Sequence, residues 1–260
     1  MSEMVPGLSE RFPVIELGEV DSTNLEALRR AANGEQGPVW LIAGRQTAGR
    51  GRSGRAWQMQ NGNLAATLLI APGCAHERLH QLSLLTGVAV YEALAAMLGD
   101  ASDGSPGSLL LKWPNDLLLD RAKLGGILIE STIVGRAAVA AIGIGVNIET
   151  APRIEGRCTI SLAEFGASAT ARRPLGMIDV EMRRWLDIWR GGDGFDAVRA
   201  AWLERAHQRG EPITVHVGNE VLAGTFAGID ETGALLIATV AATEMAVRRL
   251  TFGDVSLTPR

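Results

Sequence analysis

The residue types best suited to chemistry crowd into one short stretch. Between Gly44 and Arg55, four arginines (Arg45, Arg50, Arg52, Arg55) and four glycines fall within twelve residues. Guanidinium groups present forked donors that match carboxylates and phosphates. Glycines at Gly49, Gly51 and Gly54 let the backbone turn several N–H groups toward one anion. Trp57, just beyond, and Trp113 offer stacking faces. From these residues alone three readings stand: a loop around a phosphorylated small molecule, an RNA-binding tract, or a solvated loop.

A second concentration of charge is visible because lysine is so scarce. Only two of the 25 basic residues are lysines, Lys112 and Lys123, and both lie in "KWPNDLLLDRAKLGG". A compact ammonium followed by Gly-Gly can reach a phosphate that the backbone approaches closely. Asp116, beside Asn115, can hold Mg²⁺ or orient a reacting group, or it can close an Asx-turn after Pro114. Ser22, Thr23 and Asn24 suit a helix start, and helix starts also receive anions. "GIGVN", ending at Asn147, places a polar residue at the end of a buried strand, where sheet proteins meet ligands. No Ser-His-Asp or Cys-His arrangement is evident.

The whole chain narrows these readings. It has 260 residues, 47% of them hydrophobic and 21% charged, with a net charge of −4. That is an ordinary globular composition, long enough for one or two domains. An acidic balance argues against nucleic acid as the main ligand, since extensive phosphate contacts usually show as a basic surplus. Two scattered cysteines, Cys74 and Cys158, read as reduced thiols. His76 and His80, spaced to share a helix face, lack the rest of a zinc motif. Apolar runs such as "AAVAAIGIGV" are too short to span a bilayer, and the first twenty residues lack a signal-peptide pattern. The expectation is a cytoplasmic protein without a membrane partner.

The elements that must position these residues follow from periodicity. After a loose start, "VDSTNLEALRRAANG" is predicted as a helix, with Thr23 and Glu26 at capping-box spacing and Gly34 at its end. "PVWLIAG" and "NLAATLLIAP" are predicted strands, so the arginine-rich stretch is a long loop between them. "HERLHQLSLLTGVAVYEALAAMLG" is a buried helix. "SLLLKWPNDLLLD" is a strand broken at Pro114 and resumed after a turn. "KLGGILIESTIVG" and "AAVAAIGIGVNI" pair through a turn at Gly135 and Arg136, and two helices follow between Pro174 and Gln208. From Gly210, four or five short strands make a small barrel or sandwich. The predicted division is a helix-covered sheet over residues 1–209 and an all-β unit over 210–260.

Taken in order, "DSTN", "QTAGRGRSGRAW", "KWPND", "KLGGIL" and "GIGVN" resemble the biotin–protein ligases, over about Val20 to Leu257. The resemblance implies an α+β fold with a mixed sheet like the class II aminoacyl-tRNA synthetase core, plus a C-terminal SH3-like β-barrel. It implies that biotin and MgATP react to biotinyl-5′-AMP, whose acyl group then passes to a lysine of a biotin carboxyl carrier protein. It places Ser22, Thr23, Asn24, Gln46, Gly49, Arg50, Gly51, Arg52 and Lys123 around biotin and its adenylate. It puts Trp57, Lys112, Asn115 and Asn147 near the nucleotide. Lys123, Arg52 and Asp116 are the implied catalytic residues, with Asp116 also the implied metal contact. The arginine loop then becomes a lid that cancels the repulsion between a carboxylate and a polyphosphate.

Some members carry an N-terminal DNA-binding module, but only about twenty residues precede "DSTN" here, so no DNA partner is expected. Exposed strand edges leave a homodimer open. The alternatives are a lipoate–protein ligase of the same superfamily and a non-catalytic adenylate- or RNA-binding protein.

Overall fold

The computed structural model describes residues 11–101, 109–167, 169–241 and 244–257. The loose start lies partly outside the described residues, and its described end is not loose. Val14–Val20 forms an edge strand, β1, parallel to β2 (Val39–Gln46), with Val14 opposite Trp40 and Val20 opposite Gln46. Much of β1 is solvent-facing, which is why its composition gave no strand signal.

Between them runs α1 (Thr23–Ala32). Its N-cap is Ser22, whose hydroxyl accepts from the Leu25 N–H at 3.5 Å. The expected capping box does not form. The Thr23 hydroxyl is engaged in the sheet instead, and Glu26 pairs with Arg29 and Arg30 at 2.9 and 3.0 Å. At the other end Gly34, at φ +95°, turns the chain as expected.

The first sheet continues with β3 (Leu64–Ile70), β4 (Leu109–Lys112), β5 (Asp116–Leu119), β6 (Ala122–Val134) and β7 (Ala137–Val146). Its order is β1-β2-β3-β7-β6-β5-β4. Only the β1–β2 pair is parallel, so the sheet is mixed. Alternation along β2 feeds two cores: Trp40 and Ile42 join the main one, while Val39 and Leu41 pack under Ala27 and Ala31 of α1. Every residue of β3 is buried, as expected for a central strand covered on both faces.

The opposite face is covered by α2 (Gln81–Ala101), α3 (Arg172–Trp189) and α4 (Phe195–Arg205). His76 lies in a separate short turn before α2, so His76 and His80 do not share a helix face. One apolar stretch is longer than expected: Gln81–Gly99 is long and apolar enough to cross a membrane, with mean hydropathy 1.6. Two thirds of it is buried in the protein, where it packs on α3, α4 and the sheet. It is the core helix of the domain.

The second sheet comprises β8 (Pro212–Val217), β9 (Glu220–Ile229), β10 (Leu235–Ala241), β11 (Glu244–Leu250) and β12 (Asp254–Leu257). Its order is β11-β10-β9-β8-β12, all antiparallel, and this fits the SH3-like expectation. Its apolar side is continuous with the main core through Trp202, Phe226 and Ile237. Arg199 of α4 donates to the carbonyls of Ile229 and Asp230 at 3.0 and 2.9 Å, and the Trp113 indole N–H donates to Gly233 O at 3.0 Å. Trp113 is 3% exposed, so it joins the two sheets and offers no stacking face.

His207 sits at the same joint, with its ring edge-on to Phe226 at 4.9 Å. Neither ring nitrogen has a partner, and burial pushes its pKa down to about 4, so the imidazole is neutral at pH 7.

Candidate active site

One cleft of about 360 Å³ opens where the C-terminal ends of β2 and β7, the β4–β5 turn and β12 converge. Its polar wall starts at α1. The Thr23 N–H donates to Gln46 Oε1 at 2.8 Å, and the Thr23 hydroxyl reaches the same oxygen at 3.1 Å. Behind them the Thr67 hydroxyl hydrogen-bonds the Thr23 hydroxyl at 2.8 Å and Asn24 Oδ1 at 2.6 Å. Ser22, Thr23, Asn24 and Thr67 are all under 5% exposed. Groups this buried and mutually bonded hold fixed orientations, which suits them to read a neutral polar ligand.

Asn24 also donates from Nδ2 to Leu128 O at 3.2 Å and to Glu130 Oε2 at 3.0 Å. The glycines of "GIGVN" make this possible. A Cβ on Gly143 would lie 2.4 Å from Asn24 Oδ1, and one on Gly145 would lie 2.4 Å from the Trp57 ring. Trp57 therefore packs against β7, half-buried, and lines the cleft.

Charge gathers at the other end. Lys112 Nζ lies 2.9 Å from Asp116 Oδ2 and donates to Val255 O at 2.9 Å. Lys123 Nζ lies 2.5 Å from Asp116 Oδ1 and 5.8 Å from the centroid of the Trp57 ring. Burial opposes ionisation of Asp116, but the two lysine charges and their hydrogen bonds outweigh it and hold the carboxyl down at about 2. Both oxygens of Asp116 are thus committed to ammonium groups. No group of three or more His, Cys, Asp or Glu able to hold a metal occurs among the described residues. The residues present do not fit a cation held by Asp116, whose two oxygens each face a lysine ammonium instead.

The arginine loop closes over this end. Arg50 reaches Glu130 Oε1 at 3.1 Å, and Arg55 reaches Asp254 Oδ1 at 2.7 Å. Arg52 lies 3.4 Å from Asn115 Oδ1 and 3.9 Å from Asp254, and burial pushes its pKa below the usual value. The backbone does not form the anion nest that the glycines suggest. The Gly51 N–H donates to Arg55 O at 2.7 Å and the Arg55 N–H to Arg52 O at 3.2 Å, so these donors turn inward. Gly49 is buried against the Trp57 carbonyl and does not line the cleft. The side chains carry the charge: seven basic residues line the cleft against two carboxylates, in a chain that is acidic overall.

All the other residues that the family resemblance assigned to the site line this one cleft. Two of them are more structural than expected. Asn115 Nδ2 donates to Ile127 O at 2.7 Å, bracing the β4–β5 turn. Asn147 is 1% exposed and donates to Ile160 O at 3.1 Å, while its Oδ1 has no partner. Sequence reasoning missed Thr67, Glu130 and Asp254. A lone threonine in "LAATLLI" and a glutamate in "ILIES" were the available signals.

The comparisons agree with this geometry. Residues 17–147 match the model of the biotin/lipoate A/B protein ligase family, and residues 210–258 match the biotin protein ligase C-terminal domain. A biotin–[acetyl-CoA-carboxylase] ligase of Paracoccus denitrificans is 40% identical over 231 residues, covering 85% of this chain and 92% of that protein. A ligase of the same name from Mycobacterium tuberculosis is 31% identical, covering 85% of this chain and 81% of that protein. The Aquifex aeolicus biotin protein ligase, solved in complex with biotin and ATP, superposes with a TM-score of 0.77 at 28% identity. That match covers 95% of this chain and 99% of the other. The two-sheet fold is that of a protein ligase. The chain belongs to the biotin/lipoate A/B protein ligase family and, within it, to the biotin protein ligases, which are enzymes.

Proposed function

We propose that this cleft activates biotin with ATP and transfers it to a lysine of a biotin carboxyl carrier protein. In the first step a biotin carboxylate oxygen bonds to the α-phosphorus, pyrophosphate leaves, and biotinyl-5′-AMP forms. In the second the carrier's amine attacks the acyl carbon, loses its proton, and AMP leaves. The observation that carries this reading is the convergence of seven basic side chains on a cleft whose far wall is a rigid, neutral hydrogen-bonding surface. Such a cleft binds a ligand with a polar, uncharged head and a reacting anionic end.

Each residue then has a task. Thr23, Asn24 and Gln46 orient the ureido ring. Arg50, Arg52 and Lys123 lower the repulsion between carboxylate and phosphate as they approach. Asp116 holds Lys112 and Lys123 in place at the cleft, while Trp57 supplies the stacking face for the adenine. Closure of the loop keeps water from the mixed anhydride. Mg²⁺ accompanies the nucleotide phosphates in this reading, and no step is routed through it. The reading carries with it a cytoplasmic enzyme.

Pyrophosphate exchange into ATP, without carrier protein, tests the proposal. Exchange that requires biotin supports it. Exchange with lipoate alone keeps the adenylation and changes the substrate, and no exchange with either removes the proposal.

A further inference from the structure

The cations of the cleft do not all have the same kind of partner. Lys112, Lys123, Arg52 and Arg55 pair with Asp116 or Asp254, which themselves line the cleft. Arg50 pairs with Glu130, which does not. Glu130 stands on β6 behind the polar wall, where its two oxygens face different regions. Oε2 accepts from the buried Asn24 amide at 3.0 Å, while Oε1 lies 3.1 Å from the Arg50 guanidinium. One carboxylate thus touches both the residue set that reads the ligand's head and the lid residue that meets its charged end.

We propose that Glu130 is a positioning residue, the resting partner of Arg50, which gives Arg50 up to the substrate carboxylate when the cleft fills. This rests on the biotin reading above. The pair is built to exchange. The Arg50 side chain is 46% exposed and makes one ion pair among the described residues, and such exposed pairs contribute little to stability. Glu130 is not stranded on release, since its side chain is 18% exposed and Oε2 keeps the Asn24 hydrogen bond. The incoming carboxylate replaces one ion pair with another, so the lid changes partner without leaving a buried charge uncompensated. Asn24 is common to both states, which links filling of the head site to release of the lid.

The test compares biotin with its neutral amide by calorimetry, in the full chain. Glu130→Gln retains an oxygen for Asn24 Nδ2 but no longer competes for Arg50. Biotin should bind about threefold tighter to this variant, and the amide should bind as it does to the parent. Without ligand, trypsin should cut after Arg50 faster in the variant, because the lid has lost its resting contact. Glu130→Asp, which keeps the charge but retracts it by about one methylene, guards against a folding defect and should shift biotin binding in the same direction by less. An equal change for biotin and the amide, or no change for biotin, overturns the proposal and leaves the biotin reading intact. Failure of the parent to bind biotin at all removes both.

Discussion

The polar wall and the arginine lid line the same cleft and are built on opposite principles. Thr23, Asn24 and Thr67 are each under 5% exposed and bond one another in a closed network with Gln46. Arg50 and Arg55 have side chains 46% and 38% exposed and are held by single ion pairs to Glu130 and Asp254. A buried network is costly to break because each orphaned group loses its only partner, whereas exposed pairs trade with water. The difference matches the two tasks that the proposed function assigns to these regions. Recognition of a fixed head group needs preorganisation, while a lid over a reactive intermediate has to open and close.

The comparison can be broken at several points, beginning where the effect should be greatest. Lys123→Ala removes the ammonium that the proposed function places at the reacting centre and leaves Asp116 with only Lys112. Adenylate formation should fall by about 10²–10³-fold in single-turnover assays, and near-normal turnover would show that the charged end works without it.

A second test addresses the joint that carries β12 to the lid. His207 titrates at about 4 in the fold, against 6.5 for an ordinary histidine. The unfolded chain therefore binds the extra proton between pH 6.5 and 4. Stability contributed by the neutral ring is complete above that window and declines as pH falls through it, by roughly 2 kcal/mol at pH 5. Denaturant titrations at pH 7 and 5 should show this loss in the parent and not in His207→Leu. An equal loss in both would assign it elsewhere.

Thr67→Val tests the wall. It takes the hydroxyl from between Thr23 and Asn24 without changing the shape, so KM for biotin should rise roughly tenfold with kcat little altered. A fall in kcat at unchanged KM would place Thr67 with the chemistry instead. The smallest effect is expected at the lid anchor. Asp254→Asn removes the carboxylate charge facing Arg52 and Arg55, and about two- to fivefold more adenylate should escape into solution before transfer. If escape were unchanged, the second sheet would not be holding the lid.

Much of this was legible in the residues and some was not. Both cleft ends could be found because their signals are local: an arginine-glycine run, the only two lysines, and helix-start residues in "DSTN". The β6–β7 hairpin was legible for the same reason, since its turn and alternation are contiguous; Val134 pairs with Ala137 across Gly135 and Arg136. Strand β1 escaped because an edge strand buries too little to need an apolar pattern. The capping box was misread by one residue because the Thr23 hydroxyl turned away from its own helix to Gln46, twenty-three positions on. The anion nest failed because glycine spacing allows many loop closures, and the one adopted turns the Gly51 N–H inward.

The sequence by itself determined most of the element types, the succession of a helix-covered sheet and an all-β unit, and the inventory of charges available to the cleft. Those depend on neighbours in the chain, where periodicity and turn residues act directly. Only the tertiary structure decided what each charge faces. Asn24 meets Glu130 across 106 positions and Arg55 meets Asp254 across 199. Asp116 became a clamp for two lysines because β4, β5 and β6 bring Lys112 and Lys123 to its two sides. A side chain's charge is written in its residue type, but its partner is set by strand register and sheet order, and long-range packing alone selects those.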